Sequence, residues 1–285
     1  MIEMAILEQL EHPQFKVTKS DGILIDYVRK NKEKFVFKSI SEIARESGIA
    51  EATVTRFVKK LGFNNFQSFK ITFAQELSTS EEKGIVHSNI SCDESIFDTA
   101  SNLLHSTMGV LQKTMDDLDS DVMLKCKNAI LDGRRIYIMG IGHSGVIAMD
   151  FHYKLIRIGL NTLSVSDGHM MLMLASIMGP QDVIIAISNS GETEELIQTI
   201  QLAKEQGVTI ISITADGDNT LKRISHINLE YHSTETLFET GSITSKIPQI
   251  FMLDLIYTEI IKQTYNESLS RRLKTTDAII KHRKN

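Results

Sequence analysis

Apolar residues recur at three- and four-residue spacing from the start of the chain to about Leu77, the period of helices that bury one face. Residues 78–89 (STSEEKGIVHSN) are polar and hold Gly84, so the chain predicts a helical domain over 1–77 and a linker over 78–93. Two further helical stretches follow at 94–114 and 120–131, with Ile96, Leu103, Leu104, Val110 and Leu111, then Val122, Leu124 and Ile130, as apolar positions. From Arg135 the texture changes. The runs RIYIMG, NTLSVS, DVIIAIS and VTIISIT alternate with helical stretches at 146–158, 170–178 and 194–206. Their nearly unbroken apolarity is that of parallel strands covered by helices on both faces. INLEY adds a fifth strand, and 247–263 a long closing helix. The expected fold is α/β: a doubly wound parallel sheet over 94–285 behind an all-helical N-terminal domain.

Composition changes this picture little. A chain of 285 residues can bury two separate cores, and its 42% hydrophobic and 24% charged residues are those of a soluble globular protein. Cys92 and Cys126 stand far apart with no CxxC pair, which argues against a disulfide framework or a zinc site and suits a reducing cytoplasm. Glu3, Glu8 and Glu11 occupy the stretch where a signal peptide needs positive charge, and no apolar run approaches the ~20 residues of a membrane span. The expectation is a cytoplasmic protein with no membrane partner, metal or cofactor. The charge of −5 divides unevenly: residues 1–77 hold twelve Lys/Arg against ten Asp/Glu, and the remainder nineteen against twenty-six. A slightly basic head on an acidic body permits a DNA partner without requiring one.

The segment SISEIARESGIAEATVTRFVKKLGF, residues 39–63, makes that partner specific. Ser39 and Glu42 form an S-x-x-E capping box, and Ile40, Ile43 and Ala44 give a short helix its buried face. Gly48 can end that helix in the left-handed conformation, with Ile49 plugging the turn. A second helix from about Glu51 to Leu61 closes at Gly62 and directs Val54, Phe57, Val58 and Leu61 inward. Thr53, Thr55, Arg56, Lys59 and Lys60 face outward, where Thr and Arg can reach base edges and lysines neutralise phosphates. A solvated amphipathic helix pair is the plainer interpretation, and the turn and basic outer face weigh against it. ATVTRFVKKLGF followed by FQSFK resembles the N-terminal domain of the RpiR family of regulators. One departure is Ala50, where a Ser or Thr N-cap is expected; its absence costs the helix ~1 kcal/mol, partly offset by Glu51 at the N-terminus.

The second domain opens with GIGHSG, residues 140–145, between a strand and a helix. Alone this is the GxGxxG dinucleotide fingerprint, and Asp167 after the second strand stands where a ribose-binding acid would. SNSGET, residues 188–193, points elsewhere. Ser188, Asn189, Ser190 and Thr193 surround Gly191 just ahead of a helix, and hydroxyls with free N–H groups at a helix N-terminus make a phosphate cradle. A dinucleotide site places its pyrophosphate at the first loop and needs no second hydroxyl-rich one. A Ser-capped helix start is the plain alternative for this loop.

Strand, GxGxS, helix, then S-x-S-G-x-T after a later strand resembles the sugar isomerase (SIS) domain, and YKLIRIG with Asp167-x-His169 is similar to the SIS domains of RpiR regulators. The resemblance implies a five-stranded parallel sheet that binds phosphosugars, with Ser144, Ser188, Ser190 and Thr193 on the phosphate. It further implies that ETGSITSK, residues 239–246, closes over the sugar, with Glu239, Ser242 and Thr244 as contacts. Lys246 stands where the family often carries Arg.

A phosphosugar isomerase would need a general base, for which Glu239 and His169 are the candidates. A sensor needs only binding, and a DNA-reading head would serve no purpose on an isomerase. The expectation is therefore a non-enzymatic regulator that binds operator DNA under the control of a sugar phosphate. It would act as a homodimer or homotetramer, because such a head reads two half-sites related by a twofold axis.

Overall fold

The computed structural model describes residues 5–36, 38, 40–79, 90, 93–235 and 241–283. They form two compact units, which divide between Leu104 and His105, with Glu235 grouped in the first.

The first unit is helical: α1 Ile6–Glu11, α2 Lys19–Lys30, α3 Lys32–Phe35, α4 Ile40–Ser47, α5 Glu51–Lys60 and α6 Phe66–Thr79. Thr18 caps α2 through a capping box with Asp21, which returns its carboxylate to the Thr18 N–H at 2.8 Å. Asn65 and Ser68 exchange the same pair of bonds at the start of α6. The first N–H groups of α1 donate to the carboxylate of Glu76 on α6, that from Leu7 at 2.7 Å, so a side-chain charge satisfies helix-end donors. Inside, Leu24, Val28, Ile43, Val54, Phe57 and Val58 pack with an aromatic cluster. Phe35 stands edge-on to Phe66, Phe69 and Phe73, its ring centroid 5.9–6.1 Å from theirs. α6 runs to Thr79, so the linker expected from residue 78 opens inside a helix. Most of that linker, and Ser39 of the expected capping box, lie outside the described residues.

α7 Ile96–Asp116 and α8 Ser120–Asp132 lead to β1 Arg135–Met139, α9 His143–Arg157, β2 Thr162–Val165, α10 Gly168–Ala175, β3 Asp182–Ser188 and α11 Glu194–Glu205. β4 Thr209–Ala215, α12 Thr220–Ile224, β5 Ile227–Tyr231, α13 Ile243–Gln263 and α14 Tyr265–Arg283 complete the chain. All strand pairs are parallel, in the order β2-β1-β3-β4-β5. Every residue of β3 is buried, the apolar Val183 to Ile187 together with Asp182 and Ser188 at its ends. Ile136, Ile138, Ile185, Ile187 and Ile211 face a core built with α8, α9 and α13. Tyr137, Met139, Ile184, Ala186 and Ile210 face the other, built with α10, α11 and α12. This is the doubly wound sheet the chain predicts.

Four local expectations change. Ile96, Phe97 and Leu104 of α7 stand exposed, so only part of its apolar pattern is core; Val110 is buried. α13 begins at Ile243, four residues earlier than expected, and carries Pro248 within it. No element is expected beyond residue 263, yet the chain continues as the helix α14, whose Arg271 donates to the carbonyls of Ile158 and Gly159 at 3.3 and 3.2 Å. The short α12 has no counterpart in the periodicity.

Candidate functional site

In the helical unit, α4 and α5 are joined by Gly48, Ile49 and Ala50. Gly48 has φ of 69°, its N–H reaches Arg45 O at 3.4 Å, and Ile49 N–H reaches Ala44 O at 2.9 Å, the paired bonds of a Schellman ending. Gly62, with φ of 92°, ends α5 the same way, Phe63 N–H reaching Val58 O at 3.3 Å. Ala50 occupies the N-cap with extended backbone and no side-chain bond. α4 is tied to α2 by a polar cluster in which the Tyr27 hydroxyl donates to Glu46 at 2.6 Å and Lys38 reaches both.

Val54, Phe57, Val58 and Leu61 are buried, as the sequence predicts. Arg56 and Lys59 are exposed, and Thr53 and Thr55 are half-buried. Arg56 donates to Thr53 Oγ1 at 3.0 Å, which sets these two candidates side by side. Lys60 differs. Its ammonium lies 2.7 Å from the carboxylate of buried Asp21 and over the ring of Phe15. Lys60 is nonetheless exposed like Arg56 and Lys59, so the ion pair ties α5 to α2 from the same outer face.

In the α/β unit, β1 and β3 are neighbours, yet the chain leaves β1 toward β2 and β3 toward β4. Such a reversal opens a crevice at the carboxyl ends of the two strands. Register pairs Met139 with Ala186, so GIGHSG after β1 and SNSGET after β3 emerge at the same edge. In the first loop a Cβ at Gly145 would fall 2.7 Å from Gly140 O, and one at Gly140 would fall 2.8 Å from the Ser144 carbonyl. Gly142 has φ of 61°. The three glycines thus allow the strand end and the first turn of α9 to touch, leaving Ser144 half-buried in that turn.

The second loop is held by its own side chains. Ser188 Oγ accepts from Gly191 N–H at 3.1 Å and lies 3.1 Å from Thr193 Oγ1, while Ser190 Oγ accepts from Glu192 N–H at 3.2 Å. Thr193 is the N-cap of α11 but makes no side-chain cap bond, so the first N–H groups of α11 are left for another acceptor. Gly191, with φ of 62°, lies against Asn219, and a side chain there would collide with it. Asn189 turns its Oδ1 to the Tyr231 hydroxyl at 2.8 Å.

The α13 start contributes Ser242 as N-cap and Thr244, both buried, with their hydroxyls 2.8 Å apart. Gly241 just before them packs directly on the His143 ring, so this segment meets the first loop. Glu239 lies outside the described residues. Asp167 caps α10, accepting from Met170 N–H at 2.8 Å, which is a helix-start role in place of the ribose contact a dinucleotide would need. His169 is exposed on α10. Tyr231, Asn219 and His143 were not singled out in the sequence, since their parts depend on contacts across the fold. Burial in α8 pushes the Cys126 thiol up to about 12, so it carries no thiolate chemistry at neutral pH.

Among the described residues no helix is long and apolar enough to cross a membrane. Comparison with known proteins covers both units. The helix-turn-helix domain of the rpiR family matches residues 4–80, and the SIS domain matches residues 129–259. An HTH-type transcriptional regulator of Clostridium perfringens is 50% identical over 97% of this chain and 99% of its own length. The NanR protein of Vibrio vulnificus, solved in complex with ManNAc-6P, has the same fold at a TM-score of 0.83 and 23% identity, over 96% of this chain and 98% of that one. A phosphoheptose isomerase of Francisella tularensis shares the α/β fold at a TM-score of 0.50 and 17% identity, over 60% of this chain and 100% of its own. With both domain matches in one chain and a half-identical regulator spanning its length, the protein belongs to the RpiR family of HTH-type transcriptional regulators.

Proposed function

We propose that this regulator binds operator DNA through α5 and that a phosphorylated sugar, held in the crevice between residues 140–145 and 188–193, controls that binding. The observation that carries the reading is the convergence at one sheet edge of two glycine-bearing loops, each opening a helix whose N-cap makes no side-chain cap bond. Ser144, Ser190 and Thr193 supply hydroxyls to the phosphate, Ser188 holds the loop, and Ser242 and Thr244 flank the sugar with Glu239. An amino-sugar phosphate of the kind bound by the Vibrio NanR relative is the first ligand to test. On α5, Thr53, Thr55 and Arg56 read bases and Lys59 and Lys60 meet phosphate. The two domains are taken as 1–77 and 94–285.

The chain acts as a sensor with no catalytic step, as its half-identical relative is a regulator. It works in the cytoplasm as a homodimer or dimer of dimers. Val146, Met149, Tyr153 and Ile156 form an exposed apolar stripe at helical spacing on α9, which supports a self-association face. Ligand must bind the DNA-competent and DNA-incompetent states unequally for control to result.

The test is to select DNA from a random library with purified protein, measure its affinity by anisotropy, and titrate ribose-, glucose-, glucosamine- and N-acetylhexosamine-phosphates. One sugar phosphate should change the affinity at least severalfold and saturate. The reading fails if none binds, or if the protein interconverts aldose and ketose phosphates at a rate typical of an enzyme.

A further inference from the structure

Behind the second loop, two polar side chains outside both loop motifs lead to one within it. Gln249 on α13 donates through Nε2 to the Tyr231 hydroxyl at the end of β5, and that hydroxyl donates to Asn189 Oδ1 at 2.8 Å. Gln249 and Tyr231 are 2% and 1% exposed, so the line is shut off from water, whereas Asn189 at its end is half-buried in the candidate phosphate loop. The backbone fixes Asn189 from the other side, its carbonyl accepting from Ala215 N–H at 3.2 Å.

The direction of these bonds has a chemical consequence. A tyrosine hydroxyl has one hydrogen to give, so two self-consistent polarities exist. In the observed one, Asn189 offers its oxygen to Tyr231 and keeps its Nδ2 donors for the crevice. In the reverse, Tyr231 would donate to Gln249, Asn189 would give its Nδ2 hydrogen to Tyr231, and its oxygen would face the crevice. Either polarity leaves one end of the buried Gln249 amide unpartnered, Oε1 in the present one and Nε2 in the reverse, so Gln249 does not choose between them. A bound phosphate, which offers only acceptors, selects the one that presents Asn189 Nδ2.

We propose that Tyr231 and Gln249 are positioning residues that orient the Asn189 amide as a donor to the phosphate, so that phosphate occupancy and the polarity of the line are coupled. Through Gln249 that coupling reaches α13, the helix whose start carries Ser242 and Thr244. This inference rests on the sugar-phosphate reading of the site.

The experiment uses the full chain with 15N-labelled asparagine, titrated with inorganic phosphate, and follows the Asn189 side-chain amide by NMR. In the wild type the Nδ2 resonances should shift and saturate with phosphate. Tyr231→Phe should weaken phosphate binding about tenfold and abolish that shift. Gln249→Met, which keeps the volume, should weaken it about threefold, and serves if Tyr231→Phe does not fold. Asn189→Asp, which still accepts from Tyr231 but turns an oxygen to the crevice, should bind no phosphate. If the wild type binds but both Tyr231→Phe and Gln249→Met bind equally well with an unchanged Asn189 shift, the positioning role is overturned. If the wild type shows no saturable phosphate binding, the site itself is misassigned and the inference falls with it.

Discussion

Lys60 on α5 reaches back 2.7 Å to the carboxylate of Asp21, which also closes the capping box of α2. One buried carboxylate therefore fixes the start of one helix and the end of another. Lys60→Met would leave Asp21, whose side chain is 3% exposed, without its cation. A fully buried pair broken on one side costs about 3–5 kcal/mol, and the one-third exposure of Lys60 lowers that to about 1–3 kcal/mol. Denaturant unfolding checks the value. Lys59→Ala, on the exposed face, should leave stability unchanged.

The same pair gives the helical unit an acid sensitivity. Burial alone would raise the Asp21 pKa, but the hydrogen bonds from Lys60 and Thr18 outweigh it and hold the carboxyl below its ordinary value. A carboxyl with a lowered folded-state pKa stabilises fully above its unfolded value, and that stabilisation disappears as pH falls through the folded one. Stability of the wild type should therefore drop below about pH 4, the ordinary carboxylate range. Asp21→Asn should flatten that drop in thermal melts taken from pH 6 to pH 3.

Ala50 already has the extended backbone of an N-cap, with φ of −64° and ψ of 142°. Ala50→Ser should let the new hydroxyl accept from Ala52 N–H, since Thr53 N–H already donates to the Ala50 carbonyl at 2.8 Å, and stabilise α5 by about 1 kcal/mol. A higher midpoint in denaturant with an unchanged slope is the expected result.

Gly145→Ala presses a methyl against the carbonyl oxygen of Gly140 and the Ser166 Cβ, the latter 3.0 Å away. The Gly140 backbone cannot yield without parting β1 from α9. A loss of about 2–3 kcal/mol is expected, together with loss of sugar-phosphate binding in calorimetry.

Two sets of substitutions should separate the units. Arg56→Ala should weaken DNA binding by about 1–3 kcal/mol if it reads a base and leave sugar-phosphate affinity intact. Ser190→Ala with Thr193→Ala should leave DNA affinity intact and make it indifferent to ligand. Anisotropy and calorimetry on the same preparations distinguish them.

The five strands and most of the helices, in their order, are legible in the residues alone, but not α12 or α14. β3 is readable because Val183 to Ile187, buried on both faces, are all apolar, and α4 and α5 end where Gly48 and Gly62 admit positive φ. Those are local properties, set by neighbours a few residues away. SNSGET was legible as a loop of hydroxyls for the same reason. Only the tertiary structure decided what the individual polar groups do. Lys60 looks solvated on a helical wheel, and its partner lies 39 residues earlier in the chain. Asn189 looks like one more loop side chain until Tyr231, 42 residues later, takes its oxygen. Asp167 fits a ribose-binding acid by position and turns out to cap α10. A hydrophobic pattern repeats and can be read from a few turns of chain, whereas a hydrogen bond joins single atoms that only the completed fold brings together.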